Sequence, residues 1–281
     1  MAVRIVTDST ADISRGQADA LGIAIVPLTV FFGDVAYLDG VELDSAAFYR
    51  KLATNKDLPR TSQPSPASFQ ETYTRLSDEG AEAILSVHLS AKLSGTYQSA
   101  CTARDSLPES VRQISIEIVD SQSISIGMSH ALLRAAQDAR EGLSLDMIKA
   151  RLLDQLARTR ILAVLDTLEY LRRGGRIGGA RAMLGNMLSV KPIVSLKDGE
   201  VVPVEQPRTR SKAYARIAEL LMAAGKMEHV SIAEASEEVG QQLAQAVKTV
   251  YAGELPIYKL GAVLGTHTGP GTAAIAYSVA S

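Results

Sequence analysis

Tryptophan is absent, aromatic residues make up 5% of the chain, and cysteine occurs once, as Cys101. A single cysteine excludes an internal disulfide and fits a reducing compartment. Set in an apolar helix face, it reads as inert core. So few aromatics leave little from which to build a base-stacking platform. Lys and Arg number 29 against 31 Asp and Glu, for a formal net charge of −2. No global basic field therefore points to nucleic acid. No apolar run is long enough to span a bilayer. Arg4 and Asp8 interrupt the opening residues, so no signal-peptide pattern stands there. These absences predict a cytoplasmic protein.

Several catalytic signatures are missing too. The sequence has no Gly-Lys-Ser/Thr phosphate loop and no G-x-G-x-x-G dinucleotide turn. It has no G-x-S-x-G nucleophile elbow. No His, Cys, Asp and Glu cluster has metal-ligand spacing, so no metal is expected.

What is present is a soluble globular composition, 46% hydrophobic and 21% charged over 281 residues. That length suffices for one large or two modest domains. Three apolar strands each end in a polar cluster and then enter a helix. Val3–Thr7 leads into Asp8-Ser9-Thr10-Ala11-Asp12. Ala83–Val87 leads into Leu89–Thr96. Ile114–Val119 leads into Asp120-Ser121-Gln122-Ser123. This rhythm predicts a parallel sheet with its site at the strand ends.

The second cluster is the richest. Ser90, Ser94, Gly95 and Thr96 lie between a buried strand and a helix over Tyr97–Arg104. Hydroxyls, a glycine and free amides at a helix start can hold an anion. The same residues can equally cap the helix with no ligand. Asp8 and Ser9 invite the same two readings.

Further along, Ile23–Phe32 reads as one strand turning at Gly33-Asp34. Asp44 caps a helix over Ser45–Ala53. Arg60-Thr61-Ser62-Gln63-Pro64-Ser65-Pro66 reads as a loop, with Ser65 as N-cap and Pro66 at the first helical position. Helices are expected at Ile124–Arg140 and Leu145–Thr159. A soft boundary near the strand Ile161–Leu165 divides the chain into domains 1–159 and 160–281. The second half carries the turn Arg172-Arg173-Gly174-Gly175-Arg176, which suits a phosphate or an acidic partner, or plain solvation. It also carries a hairpin turning at Asp198-Gly199. The Gly265–Thr272 stretch reads as a glycine- and threonine-rich loop between two strands, with His267 and Thr268 able to meet an anion.

Taken in order, seven stretches resemble the DegV family of bacterial fatty-acid-binding proteins. They are Val6–Asp12, Thr61–Pro66, Ser94–Ala100, Val119–Ser121, Tyr170–Ile177, Lys191–Ile193 and Gly265–Gly271. The resemblance implies an α/β fold: an N-terminal three-layer α/β/α domain with a parallel sheet, and a C-terminal two-layer domain with a mixed sheet. It implies a buried, palmitate-like long-chain fatty acid and no other cofactor. The carboxylate would be held by Thr61 and Ser94 with His267 nearby; Ser62, Gly95, Thr96 and Thr268 complete the expected ligand set. Arg172, Arg173 and Arg176 would face a fatty acid kinase, to which the protein presents the carboxyl group for acyl phosphate formation in phospholipid metabolism. The carrier itself would not be an enzyme, and transient membrane contact is compatible with the role. The rival expectation is a hydrolase or acyltransferase using Ser94 and His267.

Overall fold

Residues of one strand point alternately to opposite faces, and both faces of the first sheet are covered. Its strands are β1 (Val3–Asp8), β2 (Ala24–Val26), β6 (Ala83–His88) and β7 (Ser115–Asp120), in the order β2-β1-β6-β7, all parallel. Ile5 and Leu85 pack on α1 (Arg15–Leu21), α5 (Ile126–Arg140) and α6 (Leu145–Arg158). Val6 and Ile84 pack on α3 (Pro66–Asp78) and α4 (Thr96–Asp105). The result is the expected three-layer α/β/α arrangement. The structure is a computed structural model and describes residues 2–55, 57–109, 111, 113–186 and 190–280.

Local signals set the helix ends. Ser65 Oγ accepts from Ser68 N at 3.2 Å, with Pro66 at the first helical position, as its spacing predicts. Phe69 on α3 is fully buried; its truncation to Ala should cost about 3–5 kcal/mol.

The second sheet is mixed and six-stranded. It comprises β8 (Thr159–Val164), β9 (Ile193–Lys197), β10 (Glu200–Glu205), β11 (Met227–Glu234), β12 (Ile257–Lys259) and β13 (Ala273–Val279), in the order β10-β9-β8-β13-β11-β12. One face buries Leu162, Ile232 and Ile275 beneath α8 (Arg210–Ala224) and α9 (Glu237–Val247). From the other face, Ile161, Ala233 and Ala276 meet Ile126 of α5 and Leu264 of α10 (Ala262–Thr268). That apolar seam joins the two sheets' layers.

Three expectations need correction. Ile23–Phe32 is not one strand: it divides at Pro27-Leu28 into β2 of the parallel sheet and β3 (Thr29–Phe32) of another. Proline lacks the N–H a ladder needs, so it marks the break. Arg60–Ser62 is not a loop but β5, paired antiparallel to β3, whose other neighbour is β4 (Val35–Leu38). The first half of Gly265–Thr272 is not a loop either, because α10 (Ala262–Thr268) runs through it as far as Thr268 and ends at Gly269, whose φ is 84°. The small three-stranded sheet packs through Val30 and Phe32 on Phe48 of α2 (Ser45–Thr54) and on Val263 of α10.

Candidate functional site

The three sheets converge on one cavity of about 230 Å³. Most of its wall is apolar, with Leu28, Leu93, Ile124, Leu196, Val201 and Leu264 drawn from both halves of the chain. A polar end is built around the hydrogen-bonded pair Thr61 and His267, with their chain neighbours Ser62 and Thr268 and with Ser94 also in the wall. The stretch Ile23–Phe32 contributes Leu28 to this wall, and the strand Ile161–Leu165 contributes none of it.

At the polar end, Thr61 Oγ1 and His267 Nε2 are hydrogen-bonded at 2.8 Å. β5 presents Thr61 beside Val30, and the last turn of α10 presents His267. Burial, with the Arg176 guanidinium nearby, pushes the His267 ring down to about 4, so it is neutral at physiological pH. Its Nδ1 is buried without a hydrogen-bond partner. Gly174 makes room for that edge: a Cβ there would stand 2.2 Å from Nδ1.

The remaining expected ligand residues divide into two groups. Ser94 sits at the cavity with its hydroxyl 2.9 Å from Thr96 Oγ1, and it accepts from Thr96 N at 3.3 Å. Thr268 is in the wall, its hydroxyl donating back to Leu264 O at 3.0 Å. Ser62 donates to Gln63 O at 3.3 Å. Gly95 and Thr96 stand behind the wall. Thr96 is fully buried, and its amide and hydroxyl are both engaged by Ser94. Gly95 is bare because Gln63 lies on it: a Cβ would meet Gln63 Oε1 at 2.4 Å. Gln63, which sequence reasoning passed over, lines the cavity and donates to Ser99 Oγ at 3.1 Å. Ser94 and His267 are not hydrogen-bonded to each other; each is engaged with a threonine.

The three arginines separate. Arg172 and Arg173 are exposed on α7 (Glu169–Arg173) and both grip Glu169, at 2.7 Å and 2.5 Å. Those two bonds, Arg172's first, hold the Glu169 carboxyl down at about 2. Arg176 instead is half-buried in the cavity wall, donating to Leu93 O at 3.0 Å and Gly174 O at 2.6 Å. The spacing of the turn conceals this, because Gly174-Gly175 reverses the chain between the exposed and the buried cations.

Beneath the strand ends runs a buried polar chain that sequence reasoning missed. Tyr73 OH lies 2.8 Å from Ser86 Oγ, Ser86 Oγ 2.7 Å from His88 Nε2, and His88 Nδ1 3.1 Å from Asp8 Oδ2. Asp8 Oδ2 also accepts from Leu89 N at 3.0 Å. All four side chains are fully buried. Every polar atom of these four side chains thus has a partner, and the network anchors the first residue of the loop that leads to Ser94. The only advance signal was the alternation of Ser86 and His88 on one face of β6. Among the described residues, no group of three or more His, Cys, Asp or Glu could hold a metal ion. No helix among them is long and apolar enough to cross a membrane.

A family model described as "Uncharacterised protein, DegV family" matches residues 2–280. A DegV domain-containing protein of Halalkalibacterium halodurans is 38% identical, covering 99% of this chain and 98% of its own. One from Streptomyces coelicolor is 38% identical over 98% of both. Among solved structures, a fatty-acid-binding DegV family protein of Thermus thermophilus is 35% identical, covers 100% of each chain and superposes with a TM-score of 0.90. A fatty-acid-binding protein of Bacillus subtilis gives 31% identity, 100% coverage of each chain and a TM-score of 0.87. A stearic-acid-binding protein of Eubacterium ventriosum gives 26% identity, 99% and 98% coverage and a TM-score of 0.90.

Proposed function

The chain belongs to the DegV family, and from that premise we propose that it is a carrier that binds a long-chain fatty acid in the cavity and presents its carboxylate to a fatty acid kinase. The observation that carries the reading is the division of one cavity into an apolar wall and a hydroxyl- and imidazole-bearing end. Relatives of known structure described as fatty-acid-binding support it. Segments 1–159 and 160–281 act as the two domains, and the ligand lies where they meet.

The two ends of the ligand are recognised by different forces. Burying each methylene gives about 0.8 kcal/mol, so a tail of roughly fifteen gains on the order of 12 kcal/mol gross. Association and ordering costs take back a large part. The apolar wall therefore dominates affinity. A carboxylate brought out of water needs donors. Neutral His267, in the tautomer that carries its proton on Nε2, donates to Thr61 Oγ1, which leaves the Thr61 hydrogen for the ligand. Ser94 supplies a second hydroxyl, and Arg176 a nearby positive charge. Ser62 and Thr268 flank this group, while Gly95 and Thr96 shape it from behind. Arg172 and Arg173, exposed and close in sequence to Arg176, form the face offered to the kinase.

The test is direct. The purified protein is extracted with organic solvent and the extract examined by mass spectrometry, and binding of labelled palmitate is measured. A co-purifying long-chain fatty acid and saturable binding are expected. An empty extract together with no palmitate binding overturns the reading.

A further inference from the structure

The polar end of the cavity owes its geometry to α10, and α10 is held from outside the cavity. Four of its seven residues, Val263, Leu264, His267 and Thr268, wall the cavity. Its first amides have no partners within the helix, as at any helix start. Two carboxyls from the other half of the chain take them. Gly261 N donates to Asp12 Oδ1 at 2.9 Å, and Ala262 N donates to Asp39 Oδ1 at 3.1 Å. Asp12 follows β1, and Asp39 follows β4. Both carboxyls lie directly on Gly261: a Cβ there would stand 2.9 Å from Asp12 Oδ1 and 3.5 Å from each oxygen of Asp39. The preceding residue is pinned as well, since Ser45 Oγ donates to Leu260 O at 2.7 Å.

The holders are themselves rigid. Asp12 sits at φ 52°, in the left-handed region that aspartate tolerates better than most residues. Its other oxygen is held by the Ser125 hydroxyl, and Ser125 N is bonded to Thr10 O at 2.8 Å. Asp39 is 4% exposed. Burial first, and then nearby acids, Asp39 and Asp8 for Asp12 and Asp8 for Asp39, push these two carboxyls up, Asp12 to about 8 and Asp39 to about 6. Tyr49, whose buried hydroxyl feels both, packs against Gly265 of the same helix. None of these groups touches the cavity.

We infer that Asp12 and Asp39 are positioning residues: by holding the Gly261 and Ala262 amides they fix the α10 wall and set the His267 ring against Thr61. Release of either amide lets the N-terminal turn of α10 swing from β3, and the ring at its far end then leaves its 2.8 Å contact. The consequence for lipid retention rests on the fatty-acid reading; the consequence for His267 does not.

The experiment therefore has a lipid-free arm. Imidazole nitrogen resonances of His267 are followed by NMR against pH in Asp12→Ala, Asp39→Ala and the corresponding Asn variants. Each Ala variant is expected to move the His267 midpoint up by at least one unit toward the ordinary histidine value, because the ring gains water. Each Asn variant keeps an oxygen acceptor at the same place and is expected to restore the wild-type midpoint. In the second arm, release of the fluorescent polyene cis-parinaric acid is timed. The Ala variants are expected to release it at least tenfold faster than the Asn variants. An unchanged His267 midpoint in a folded Ala variant overturns the assignment, as does an Asn variant that behaves like Ala. Should the Ala variants not fold, Gly261→Ala drives a methyl group between the same carboxyls, and an unchanged midpoint there overturns the assignment equally. No binding of the polyene by any variant counts against the fatty-acid reading and leaves the His267 arm decisive.

Discussion

Arg176 donates from Nε to the backbone carbonyl of Leu93, 3.0 Å away and 83 residues earlier in the chain. One bond thus ties the glycine turn of the second half to the residue before Ser94. A charged donor of this kind typically contributes about 1.5–3 kcal/mol when its loss leaves a partner unsatisfied. Arg176→Ala should lower stability by that amount in urea unfolding and weaken palmitate binding. Charge reversal at Arg172 and Arg173, which only share Glu169 at the surface, should leave palmitate binding as it was and reduce acyl phosphate formation with the kinase. Lipid binding lost on charge reversal would place those two side chains at the cavity instead.

Thr61 and Ser94 each bring one hydroxyl to the polar end. Thr61→Ala and Ser94→Ala should each weaken binding about tenfold, the equivalent of roughly 1.4 kcal/mol, as read by isothermal titration with palmitate. Palmitol, which has no carboxylate, should lose far less. Equal losses for acid and alcohol would remove these residues from head-group recognition.

His267 is pushed down to about 4 by burial and by Arg176. A group whose protonated form is disfavoured in the folded state stays neutral there while the unfolded chain already takes up a proton. Its contribution to stability is therefore whole above the unfolded value near 6.5 and is lost as pH falls from there to about 4. His130 is lowered the same way by burial and by His229, so the comparison must be with a variant. His267→Gln should lose less stability than the wild type between pH 6.5 and 4.5 in urea melts. A parallel decline would show the ring to be solvated.

Tyr73, Ser86, His88 and Asp8 form a closed chain with no exposed member. His88→Ala should cost more than about 3 kcal/mol, through the cavity it leaves and the hydrogen bonds lost to Asp8 and Ser86. A fluorophosphonate probe should leave Ser86 unlabelled in the folded protein despite its 2.7 Å approach to an imidazole. Labelling under native conditions would mean that the chain opens to solvent.

Much of the fold could be read locally. The strand–polar turn–helix rhythm gave away the parallel sheet because both faces of such a sheet are buried and its strands run apolar throughout. Ser65-Pro66 starts α3 through contacts three residues apart. Asp198-Gly199 closes its hairpin with φ values of 49° and 79°, which those two residue types tolerate. The seven ordered motifs carried the family resemblance, and the matches over residues 2–280 agree with it.

Other features were decided by partners far away in the chain. Arg60–Ser62 has no apolar alternation and becomes a strand only because β3 offers it a ladder. Ala262–Thr268 carries one glycine and two threonines and is helical where Asp12 and Asp39 accept the amides at its start. Arg176 parts company with Arg172 and Arg173 because Leu93, from the first half of the chain, offers it a carbonyl. By itself the sequence determined which residues carry hydroxyl, imidazole and charge, and most of the order of strands and helices, since these depend on side-chain type and short-range periodicity. Only the tertiary structure decided which of those groups face one cavity. That outcome turns on hydrogen bonds and apolar contacts spanning as many as 249 residues, a separation at which no local pattern leaves a trace.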